Sequence, residues 1–86
     1  MKSIHRPHYA ELIAKLVEAR TDCGVTQVEL AKRLGKQQSY VAKIEALDRR
    51  LDVVELADWL NALDLRPDVF MGGLHWWRSG GVGHFR

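Results

Sequence analysis

The chain has 86 residues, with 47% hydrophobic and 28% charged side chains, so it is read as one small soluble globular domain rather than two domains or a disordered segment. No apolar run approaches the roughly 20 residues of a membrane span, and the N-terminus has no secretory pattern. A net charge of +2 says little by itself, and the single cysteine, Cys23, fits a reducing cytoplasm.

In chain order, residues 1–6 are expected to form a flexible arm carrying Lys2, His5 and Arg6. Pro7 suits the first position of a helix. Tyr9, Leu12, Ile13, Leu16, Val17 and Arg20 then recur at helical spacing. This first helix is expected to end near Asp22 or Cys23, with Gly24 as its terminator.

A second helix should run from Gln27 to Leu34. Thr26 is its N-cap, and Glu29 three residues later completes the pattern of a capping box. Leu30, Ala31 and Leu34 share a face, and Gly35 closes the helix. The third helix, Gln38–Ala46, buries Val41 and Ile44 and leaves Gln38, Ser39, Ala42 and Lys43 on the other face. Gln can engage adenine through two atoms, Ser can serve several bases, and Lys can reach guanine acceptors or a phosphate. From Lys32 to Arg50, six basic residues face two acids, whereas residues 51–65 carry four acids and no base. The positive charge is therefore concentrated around the third helix, where a phosphate backbone would lie.

Thr26-Gln27-x-Glu29-Leu30-Ala31, Leu34-Gly35, Gln38-Ser39-Tyr40-Val41 and Lys43-Ile44-Glu45 resemble the helix-turn-helix of lambda-repressor/Cro-like (Xre-type) DNA-binding domains. The resemblance continues through Arg49-Arg50-Leu51-Asp52 and Glu55-Leu56 to Pro67 and Phe70. It implies an all-α, compact domain of four to five helices over residues 7–71, with the third helix in the major groove. It also implies a double-stranded DNA-binding transcriptional regulator, a repressor acting as a homodimer on a palindromic operator. Base contacts then fall to Gln38, Ser39 and Lys43. Backbone contacts fall to Gln27, Tyr40, Arg49 and Arg50, with packing as the other reading of Tyr40. Leu47 and Asp64 stand where the family often has glycine. The third helix is accordingly expected to end later, or with Leu47 tucked into the core.

Asp52 and Glu55 form a second capping-box pair opening a fourth helix. Its buried face is read as Val53, Leu56, Ala57, Leu60 and Leu63, with Trp59 beside it as a core cap or interface residue. Pro67 starts a short fifth helix with Val69 and Phe70 turned inward. Residues 72–86 form a tail rich in glycine and aromatics, with five of the seven glycines and no acid. It could pack on its own domain, pair across a dimer or bind another protein. The dimer is favoured, with Trp59, Phe70, Trp76 and Trp77 as dimer or partner contacts. The alternative is an antitoxin-type protein-interaction module that binds a partner protein and its own promoter. The four histidines have no supporting cysteines or clustered carboxylates, and no nucleotide cradle or catalytic triad pattern appears. No metal, cofactor, small-molecule ligand or enzymatic activity is expected.

Overall fold

A computed structural model describes residues 6–77. Of the expected N-terminal arm only Arg6 falls within them, and the expectations for Arg78 to Arg86 lie outside the described residues. Among the described residues there are five helices and no strand: α1 (Pro7–Asp22), α2 (Gln27–Leu34), α3 (Gln38–Glu45), α4 (Val53–Ala62) and α5 (Pro67–Gly72). No helix is long and apolar enough to cross a membrane among these residues.

The helix boundaries follow local chemistry. Thr26 accepts a hydrogen bond from the Glu29 N–H at 3.0 Å, satisfying one of the orphan donors of α2. The reciprocal half of that box does not form. The Glu29 carboxylate instead accepts from Arg33 Nε at 3.1 Å, one turn along the same face. At α4 the box is complete: the Asp52 side chain accepts from Glu55 N–H, and the Glu55 side chain accepts from Asp52 N–H.

Four helices end in the same way. Gly24, Gly35, Leu47 and Asp64 have φ of 72°, 68°, 64° and 59°. The residue after each donates its N–H back to a carbonyl of the last turn: Val25 to Arg20, Lys36 to Ala31, Asp48 to Lys43 and Leu65 to Leu60. The expectation of a later end for α3 is therefore corrected. The helix stops at Glu45 and Leu47 takes the left-handed conformation without being glycine. Its half-buried side chain packs against the core, which offsets a backbone cost of about 1 kcal/mol. Aspartate tolerates this region better than most residues, so Asp64 fills the same role more cheaply.

The core joins Ile13 and Leu16 of α1, Val25, Leu30 and Ala31, Val41 and Ile44 of α3, Leu51, and Trp59, Leu60 and Leu63. α2 packs on α3 and α4, and α1 packs on α3. The buried face of α4 differs from the one expected. Trp59 is 0% exposed and sits in the domain's own core, so it offers no outward contact. Val53 is 77% exposed and Ala57 also faces solvent, because the helix is turned to bury the larger indole. In α5, Phe70 packs on the core while Val69 is 65% exposed, again contrary to the inward pair expected.

Candidate nucleic-acid interface

α2, the turn at Gly35 and α3 hold Gln27, Gln38, Ser39, Tyr40 and Lys43, five of the side chains that sequence reasoning singled out. Gln27 opens α2 and Gln38 opens α3. Far apart in sequence, they meet: Gln38 Nε2 donates to Gln27 Oε1 at 2.8 Å. Gln27 Nε2 in turn donates to Glu45 Oε1 at 2.9 Å. The Glu45 carboxylate is clamped from beneath by Arg20, with Nε to Oε2 at 2.7 Å and Nη2 to Oε1 at 2.9 Å. Arg20 Nη1 completes its fork on the Val25 carbonyl at 2.7 Å. The Arg20 and Glu45 side chains are only 10% and 7% exposed.

This chain of bonds starts in the core and ends at the surface. A buried ion pair with bidentate geometry fixes a carboxylate. That carboxylate fixes which end of the Gln27 amide points inward, and Gln27 fixes which end of the Gln38 amide is spent. Gln38 is left with its Oε1 and one N–H on an exposed face. One donor beside one acceptor is the pair that adenine presents in the major groove. Ser39 and Lys43 are exposed on the same helix.

Sequence reasoning did not give Arg20 or Glu45 a role. The signal was present: an arginine at helical spacing with Ile13 and Leu16, and a glutamate inside an otherwise basic stretch. A charge on a stripe destined for the core requires a buried partner of opposite sign.

Tyr40 sits at the edge of α3, half-buried. Its hydroxyl accepts from Trp59 Nε1 at 3.4 Å and donates to Glu55 Oε2 at 3.3 Å. Burial pushes its phenol above the ordinary value. The outer surface of the ring is framed by cations: Lys36 Nζ lies 5.2 Å and the Arg49 guanidinium 4.9 Å from its centre. Arg49 also pairs with Glu55 Oε2 at 3.1 Å while staying 44% exposed. The Glu55 carboxyl is held below its usual range, first by the Asp52 N–H and then by Arg49. Arg50 lies over the Tyr9 ring, 5.6 Å from its centre. Lys36, Lys43, Arg49 and Arg50 thus form an exposed basic rim around α3.

The remaining residues singled out as contacts lie elsewhere. Phe70 is half-buried against the core. Trp76 is half-buried, stacked on His8 with ring centres 4.9 Å apart. Trp77 is 47% exposed and lines an apolar groove of about 300 Å³ with Val53, Leu56, Ala57, Leu60, Pro67 and Met71.

A helix-turn-helix family model matches residues 16–70, from the middle of α1 into α5. The chain belongs to the XRE-type helix-turn-helix family. An XRE-family-like protein from Pseudomonas syringae pv. tomato has a similar solved structure, with a TM-score of 0.78 and 44% sequence identity. That similarity spans 85% of this chain and 89% of the other. No match is found among curated proteins. This XRE-type domain is therefore of the DNA-binding regulator kind, and the bonded glutamines lie on its helix-turn-helix.

Proposed function

We propose that this XRE-type protein is a sequence-specific, double-stranded DNA-binding transcriptional repressor. It acts as a homodimer on a palindromic operator, with α3 in the major groove. Gln38, Ser39 and Lys43 read base edges, while Gln27, Tyr40, Arg49 and Arg50 hold sugar and phosphate. The observation that carries this reading is the bond chain Arg20–Glu45–Gln27–Gln38. It presents a fixed amide on an exposed helix beside a basic rim, an expense with no evident purpose on a merely solvated surface.

A homodimer would set two recognition helices about 34 Å apart, one turn of the duplex. The exposed apolar side chains of Val53 and Trp77, which line the groove between α4 and α5, support a protein contact on that side. A second copy is the occupant proposed. The same groove gives the second reading, an antitoxin-type module in which a different protein covers it.

The test is a titration of the protein with its own upstream intergenic DNA and with scrambled DNA, at two salt concentrations, with the oligomeric state followed by sedimentation. Tighter binding to the native fragment by a dimer supports the repressor. Equal, weak binding to both fragments by a monomer rejects it and directs attention to a protein partner.

A further inference from the structure

A second cavity, of about 300 Å³, opens where the start of α1 meets the loop leaving α3 and the segment after α5. Arg6, His8, Tyr9, Leu12, Arg50 and Trp76 line it. Among the described residues, the lining holds two arginines and a histidine, and no carboxylate. Two of the lining residues carry further donors. The Tyr9 hydroxyl accepts from Leu51 N–H at 3.0 Å, and its own proton has no acceptor among the described residues. The Trp76 indole N–H is buried and unpartnered, the single side-chain polar atom in that condition among the described residues. A buried donor left without an acceptor is unfavourable, so an acceptor arriving here gains more than it would on open surface.

The aromatic rings give the cavity its shape. His8 stacks on Trp76 at an interplanar angle of 20°, and Arg50 lies over Tyr9. His75, the neighbour of Trp76, bonds Glu11 of α1 at 2.9 Å through its Nδ1, tying this segment to the helix. A site rich in cations and N–H or O–H donors, without acids among its described residues, matches a compact oxyanion with several acceptor oxygens.

We propose that this cavity binds a phosphate group, held by Arg6 and Arg50 and completed by the Tyr9 hydroxyl and the Trp76 indole N–H. The group can come from a backbone phosphodiester of bound duplex, since Arg50 follows the exposed Arg49 in the loop beside α3, or from a free phosphate compound. The first source rests on the DNA-binding reading above. The second does not.

The full chain labelled with 15N gives three tryptophan indole resonances, and Trp76→Phe assigns the one that matters. Inorganic phosphate, titrated at constant ionic strength against chloride, should move that resonance saturably. Arg50→Ala, at an exposed position, should weaken the apparent affinity about tenfold. A scrambled duplex forms the second arm. If the duplex moves the Trp76 resonance and phosphate competes with it, the bound group is a backbone phosphate. If phosphate acts and the duplex does not, the site serves a free phosphate compound. A saturable shift with neither probe, or one that Arg50→Ala leaves unchanged, overturns the site. Loss of specific operator binding alone would leave the phosphate arm standing.

Discussion

At the scale of single residues, the candidate interface is bonded to a charge placed in the core. Glu45 accepts three hydrogen bonds, two from Arg20 and one from Gln27, with little solvent to replace them. Glu45→Ala leaves the Arg20 guanidinium buried and unpaired, and should cost about 3–5 kcal/mol in denaturant unfolding. Replacing both partners, Arg20→Met with Glu45→Leu, should recover most of that stability. The double variant should still bind operator more weakly, because Gln27 has lost its anchor. Operator affinity equal to wild type in the double variant would show that the pair serves folding alone. Gln38→Ala should weaken specific binding by about 1–3 kcal/mol and relax preference at one base pair. An equal loss on random DNA would count against base reading.

At the scale of elements, the two helix ends built without glycine behave differently. Asp64 is exposed, holds a φ of 59° and places a negative charge at the C-terminal end of α4. Asp64→Gly removes both penalties and should raise stability by about 0.5–1 kcal/mol in urea denaturation. Leu47→Ala keeps the strain and removes half-buried packing, so it should lower stability by about 1 kcal/mol. The cap of α4 links stability to pH. The carboxyl of Glu55 titrates below its ordinary value of 4.5 in the folded chain, chiefly because the Asp52 N–H donates to its anion. The stability it contributes is fully present above that ordinary value and is lost as pH falls through the lowered folded value. Urea midpoints should therefore drop from about pH 5 downward, and Glu55→Gln should flatten that drop. An unchanged acid limb in the variant would assign the slope to other carboxylates.

At the scale of the whole molecule, charge is segregated. Basic residues surround α3, and the acids of residues 51–65 belong to α4 and its flanks. The basic rim should dominate the salt dependence of DNA binding. Arg49→Ala should weaken specific and random duplexes alike and reduce the slope of log affinity against log salt by about 1. A loss confined to the operator would make Arg49 a base reader. Its ion pair with Glu55 makes the effect smaller than for an unpaired arginine, because duplex must compete with a carboxylate.

Much of this was legible in the chain itself. Periodicity and caps gave the five helices to within a residue or two, because each signal is local: a proline at a helix start, a Thr or Asp cap, a glycine at φ near 70°. The same locality explains why Gln38, Ser39 and Lys43 could be placed on an exposed face from spacing alone. Tertiary structure decided the rest. Whether Leu47 would accept a left-handed turn depended on what its side chain could touch, and a single helix cannot supply that contact. Which side of α4 went inward depended on where an indole found room, so Trp59 displaced Val53 from the core. The Arg20–Glu45 pair joins residues 25 positions apart, and the meeting of Gln27 with Gln38 needs the angle between α2 and α3. Sequence reasoning picked out Gln27, Gln38, Ser39 and Lys43 as candidates and passed over Arg20 and Glu45. Only packing determined which of them hold one another in place, because hydrogen bonds across helices require distances that no local rule sets.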